Sequence, residues 1–297
     1  MRIFTTGSRV PGLGRALRPA AVLALASAVF ALAVPSGAAQ ASQKAPWSAA
    51  SPVVVRDVTT IPASVYNQVG VTSAAAAVTP PVAVAGQPTL MFTGRAGKEL
   101  PGVFIYCAEY APFCASERWA VVAALSRFGT FRGLGSTESS SKDLYPSTQT
   151  LTLLRATYSS PYLALRSDEY YGNKASTSVR YAVIQPLSAE ERSLVSTYDS
   201  SRYFPDTLVA GESGFPFIDI GNSYLSLTDF SPAVLAGLTR SEIARQLSNP
   251  SSGVAQPIVA SANYLTAAIC SITGGRPKPV CSSTGARAAA AALAGGR

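Results

Sequence analysis

The sequence predicts an α/β domain built on a mixed sheet flanked by helices, and three observations carry that expectation. Apolar strand-like runs and helical segments follow one another as strand, helix, strands, helix, strand, helix. Boundary residues bracket them: Ser188-x-x-Glu191 and Thr239-x-x-Glu242 are capping boxes, and Pro and Gly stand at segment ends. The composition is 47 % hydrophobic and only 13 % charged over 297 residues, enough for a real core. It excludes a disordered acidic chain and a coiled coil.

In chain order, Arg2, Arg9, Arg15 and Arg18 precede an apolar run of 15 residues, Ala20 to Val34, and a small-x-small site, Ala39-Gln40-Ala41. This is the layout of a secretory signal peptide over residues 1–41, with an uncleaved membrane anchor as the competing reading. Export would put the remainder outside the cytoplasm, where disulfides persist. Residues 42–87 read as an N-terminal arm. Within it, Pro52 to Val58 reads as a short strand, Pro62 to Gly70 as a helical turn, and Pro80-Pro81 as loop or extended chain.

The main domain is expected over residues 88–271. Thr89 to Thr93 and Gly102 to Cys107 read as strands joined by a turn, and Ala111-Pro112-Phe113-Cys114 opens a helix that runs to Phe128 and stops at Gly129. Gly133 to Ser147 is Ser-rich and reads as a polar surface loop. Thr150 to Leu154 and Pro161 to Ser167 look like two strands in a hairpin-like arrangement, with Tyr181 to Ile184 as a further strand or loop end. Helices should begin at Ser188, Ser231 and Thr239, a strand at Phe215, and a last amphipathic helix at Pro257. The tail, 272–297, should be flexible, frayed from Ser282 and tied by a disulfide. Cys114 to Pro216 is too long for one βαβ unit, so the core carries an insertion after its first helix.

The chain contains no His, so no Ser-His-Asp or Cys-His machine and no His-ligated zinc site can be built, and no cofactor or metal is expected. Its net charge of +8 resides at the ends. Between Ser42 and Ile269 there are 16 basic and 16 acidic residues, which argues against nucleic acid as a partner. Gly94 to Glu99 is a hairpin turn and not a phosphate loop, and Asp168-Glu169 and Glu190-Glu191 read as solvated surface charge. Glu109 and Glu117 also read as solvated or helix-start charges rather than proton carriers.

Four cysteines remain. Cys107 closes a strand and Cys114 lies in the first helical turn, so a reversing connection can bring their Cα atoms within disulfide range. Three states are open for this pair: redox-active, a plain buried disulfide, or two unpaired core thiols. Cys270 and Cys281, separated by ten residues that include Gly274, Gly275, Pro277 and Pro279, suit a structural disulfide joining the last helix to the tail.

A strand ending Phe-Ile-Tyr-Cys, followed by Ala-Pro-Phe-Cys at a helix start, resembles the active-site corner of thioredoxins, and Phe215-Pro216 resembles their cis-proline. More closely, GVFIYCAEYAPFCASERWAVVAALSRFGTFRGL is similar to the thioredoxin-like domain-of-unknown-function family nine-two-nine. Glu109, Tyr110, Pro112, Cys114, Ala115, Arg118 and Trp119 match its Glu-Tyr-Cys-Pro-Tyr-Cys-Ala-x-x-Arg-Trp segment, but Ala111 stands where the first Cys belongs. The resemblance implies a thioredoxin-like sheet and a groove formed by Phe215, Pro216, Tyr110, Pro112 and Phe113 for an extended peptide or a thiol protein. It leaves two functions open. One is extracytoplasmic thiol–disulfide exchange with Cys114 as thiolate and Cys107 resolving. The alternative is a redox-inactive binding or scaffold module; a membrane is a partner only if the leader is retained.

Overall fold

The computed structural model describes residues 47–71, 78–177, 180–208, 214–227 and 230–295; the leader expected over 1–41 lies outside them. The described chain enters through strand β1 (Ser48–Ala49), helices α1 (Pro52–Thr59) and α2 (Ala63–Val69), and strand β2 (Val82–Ala83). The central unit begins with β3 (Met91–Thr93), β4 (Glu99–Cys107) and helix α3 (Pro112–Leu125). The stretch expected to be an insertion is a run of short strands, of which β9 belongs to the central sheet: β5 (Thr130–Arg132), β6 (Gly135–Glu138), β7 (Gln149–Thr152), β8 (Thr157–Ser159), β9 (Ala164–Glu169), β10 (Tyr171–Thr177) and β11 (Arg180–Val183). Then come α4 (Ala189–Tyr198), β12 (Phe217–Ile220), β13 (Tyr224–Ser226), a 3₁₀ turn at Pro232–Leu235, α5 (Arg240–Gln246), α6 (Ala255–Ile272), α7 (Lys278–Cys281) and α8 (Thr284–Gly295).

The expected mixed sheet is present, in the order β2-β13-β12-β4. The far edge of β4 is shared: β3 pairs antiparallel with Glu99–Pro101, and β9 runs parallel to Gly102–Cys107. Alternation along β4 sorts its side chains by face. Val103, Ile105 and Cys107 join Ile218 and Ile220 of β12 in the core beneath α3 and α6. Phe104 and Tyr106 join Phe217, Leu225 and the α4 residues Leu194, Val195 and Tyr198 on the other face. Helices thus cover both faces. Both capping boxes form, at Ser188/Glu191 and Thr239/Glu242.

Several local expectations are corrected. Pro52 to Val58 is helix α1, not a strand: Pro52 occupies the helix start, and Val54 and Val58, one turn apart, are buried. Packing against α3 and α5 overrides the β-branched preference. The Ser-rich stretch is a surface loop only over 141–147; Gly135–Glu138 is the middle strand of a β1-β6-β7 sheet, and Ser139 and Ser140 are buried. The two strands after Gln149 form no hairpin, because β7 pairs with β6 while β9 joins β4. Helix α6 is buried nearly all round rather than amphipathic, since α3, α2 and α8 all pack on it. The tail from Ser282 forms α8, which buries Ala286, Ala289 and Leu293.

Burial also separates charge. Six of the fourteen described carboxylates are buried (Glu109, Glu117, Asp168, Glu169, Asp199 and Asp219), against one of the eighteen described Lys and Arg, Arg118. Burial pushes the Asp219 carboxyl up to about 7, opposed by the Asn222 N–H it accepts at 2.7 Å. Desolvation likewise raises Asp168 and Asp199 to about 7. A folded pKa above the unfolded value means the neutral form favours the fold. That stability is complete below about pH 4 and is lost as pH rises through about 7. The urea midpoint should therefore fall between pH 5 and pH 8. Asp219→Asn should flatten that slope by up to about 1.4 kcal/mol per pH unit; an unchanged slope would contradict the assignment.

Candidate functional site

At the end of β4 the chain turns sharply into α3, and nearly every backbone group of that turn is bonded. Cys107 C=O accepts from Tyr170 N–H (2.7 Å), Glu109 N–H donates to Tyr171 C=O (2.8 Å) and Tyr110 C=O accepts from Ser140 N–H (2.9 Å). Ala111 N–H donates to Ala108 C=O (3.2 Å), closing the turn on itself. Ala111 is the helix N-cap in extended conformation, and Pro112 begins the helix, where its missing N–H costs nothing.

This geometry joins Cys107 and Cys114 in a disulfide, with Cα atoms 5.8 Å apart. Both residues are sealed: Cys107 is 2 % exposed and Cys114 0 %. The Ala108 N–H also donates to Cys114 Sγ at 3.3 Å. Cys270 and Cys281 form the second disulfide, Cα–Cα 5.6 Å, between α6 and α7.

Beneath the corner lies a buried ion pair that the sequence reading missed. Arg118 donates through Nε to Glu169 Oε1 (2.8 Å) and through Nη2 to Glu169 Oε2, and both side chains are 1 % exposed. Arg118 Nη2 also donates to Ala108 C=O (3.1 Å), and Glu169 Oε1 accepts from Leu153 N–H (3.2 Å). The adjacent carboxylates Asp168-Glu169 do point to opposite faces, yet both are buried, which corrects the solvated reading. A signal was present: an arginine inside an apolar helix needs an internal partner.

Glu109 and Glu117 are also buried, contrary to expectation, at 4 % and 2 % exposure. Glu109 accepts from Thr152 Oγ1 (2.8 Å) and Thr137 Oγ1 (3.4 Å). Desolvation raises its pKa, and the Glu169 carboxylate raises it further, against the opposing pull of Arg118 and the two hydroxyls. Glu117 Oε1 accepts from Ser261 Oγ at 3.2 Å, which ties α3 to α6.

Above the corner the surface is aromatic. The Phe215–Pro216 peptide is cis. Phe217 pairs with Tyr106, so Pro216, one residue earlier, comes to the level of Cys107. The Phe215 ring lies 4.6 Å from Tyr106 and 6.2 Å from both Tyr110 and Tyr171. Tyr110 stacks on Tyr181 at 4.1 Å, and an open pocket of about 440 Å³ is lined by Tyr110, Tyr171, Arg180 and Tyr181. Of the expected groove residues, Tyr110 and Phe215 are brought together here. Phe113 turns to Tyr145 (5.8 Å, edge-on) and borders a different pocket, while Pro112 is buried. Tyr171 and Tyr181 come from the insertion and were not singled out by sequence.

Removing one member of the buried pair leaves the other as an unpaired buried charge. Glu169→Gln should cost about 3–5 kcal/mol in urea unfolding, and Arg118→Met with Glu169→Leu should recover most of it. A single-variant loss below about 1 kcal/mol, the range of a surface pair, would show that the bridge does not hold the corner.

Neither a curated protein nor a solved structure matches the chain. A family profile with the description Domain of unknown function (DUF929) matches residues 93–271, more than half of the sequence, from the end of β3 to the last turn of α6, and the chain belongs to that family.

Proposed function

We propose that this is an exported, thioredoxin-like binding module whose corner disulfide is structural and does not turn over. One observation carries the reading. Both residues of the Cys107–Cys114 bond are buried, and Ala111 occupies the position where an attacking thiolate would sit. Exchange proceeds by in-line attack of a thiolate on a disulfide sulfur, so access is required as well as a lowered pKa.

The thioredoxin-like part of the reading is supported by topology. Strands β9 and β4 are parallel with α3 between them in sequence, and the antiparallel β12 and β13 follow, entered through a cis-proline. Export is supported by the leader pattern of residues 1–41 and by the pairing of all four cysteines, as in oxidising compartments. The surface left for binding is the aromatic rim of Tyr110, Tyr171, Tyr181 and Phe215 beside Arg180. Rigid aromatic side chains offer large contact area at low entropic cost, which suits an extended peptide.

The exchange reading has one observation in its favour, the raised-pKa carboxyl of Glu109 two residues from Cys107. It lacks a route by which a second thiol reaches the bond.

The test is a disulfide-turnover assay with a generic protein disulfide and dithiothreitol as reductant. The rate with the native protein should equal the rate with dithiothreitol alone, and Cys114→Ala should change nothing. Turnover above that background, lost in Cys114→Ala, would overturn the proposal in favour of the enzyme.

A further inference from the structure

On the other side of Phe113 the sheet ends in an unusual edge. Its last strand is β2, only two residues long, contributed by the arm. It pairs antiparallel with β13 through Val82↔Leu225 and Ala83↔Tyr224, and Val84 N–H adds one bond to Ser223 C=O at 2.9 Å. From Thr79 to Ala83 only Pro81 is buried. Beside the arm the described residues leave a pocket of about 430 Å³, lined by Pro80, Val82, Phe113, Phe204, Leu225 and Leu227 among others. Val82 stands directly opposite Leu225, so its short side chain points to the face where that space lies.

We propose that the β13 edge is a strand-addition groove held by the chain's own arm, and that an extended partner segment displaces the arm by pairing with β13. The occupant's chemistry follows what already sits there, a proline-led extended apolar segment on the pattern Thr79-Pro80-Pro81-Val82-Ala83-Val84, with a larger apolar residue at the Val82 position. Prolines pre-extend such a segment, main-chain bonds to β13 supply affinity, and alternate side chains supply specificity. A tethered arm has an effective concentration in the millimolar range, so a competing segment must gain a contact the arm lacks. The pocket states which one. A bulky apolar side chain at the Val82 position fills space that valine leaves empty. This groove is separate from the aromatic rim, and its occupancy does not depend on whether the corner disulfide turns over.

Two labelled peptides test it by fluorescence anisotropy against the full chain: residues 78–86, and the same peptide carrying Val82→Phe. Val84→Pro in the protein removes the donor to Ser223 and loosens the arm. That variant should bind the 78–86 peptide at least tenfold more tightly than the wild type, and the Val82→Phe peptide should bind more tightly still. Equal affinity of wild type and Val84→Pro for the peptides, or no gain from phenylalanine, would overturn the proposal. Hydrogen exchange of the unmodified protein gives a second reading that needs no variant. The Val84 amide should exchange at least a hundredfold faster than that of Ile218, and equal protection would show a permanent strand.

Discussion

The corner depends on the Arg118 guanidinium being held inside the protein. A buried cation is tolerable only when it is paired and hydrogen-bonded, and here Glu169 takes two of its donors while Ala108 C=O takes a third contact. Because Glu169 ends β9 and Ala108 starts the turn, one side chain on α3 ties three segments together. The turn cannot open without stranding that charge. The Ala108 N–H lies on Cys114 Sγ, so the same constraint that fixes the backbone also fixes the sulfur.

Function follows from where the structure is closed and where it is open. The layer holding the disulfide, Glu109 and the ion pair is closed, so it provides rigidity. The layer above it is open and aromatic. Six carboxylates are drawn inside against one arginine, so a body that is electrically balanced in sequence presents a basic surface among the described residues.

Much of this was legible in advance, for physical reasons that can be named. The capping boxes at Ser188 and Thr239 are local devices that need no tertiary context, and both formed. The strand Gly102 to Cys107 followed by Pro112 was equally readable, as was the closeness of Cys107 to Cys114 and of Cys270 to Cys281. What escaped were decisions made by distant neighbours. Val54 and Val58 are strand-formers by propensity, and their burial against other helices makes them helical. The Ser-rich stretch at 133–147 looks solvated until Trp47 packs on Gly135, whose missing side chain leaves room for the indole. The aromatic rim draws on Tyr171 and Tyr181 from the insertion, and no spacing rule links them to Tyr110. Glu169 could be paired with Arg118 only once β9 was known to run beside β4.

The central claim, that the corner is locked and its disulfide silent, is tested most directly by the kinetics of reduction across a urea series. With dithiothreitol and alkylation read by mass spectrometry, the half-buried Cys270–Cys281 bond should be reduced first, under native conditions. The Cys107–Cys114 bond should open only at the rate of global unfolding, rising with urea in step with it. Urea-independent reduction of Cys107–Cys114, ahead of the tail disulfide, would contradict the account.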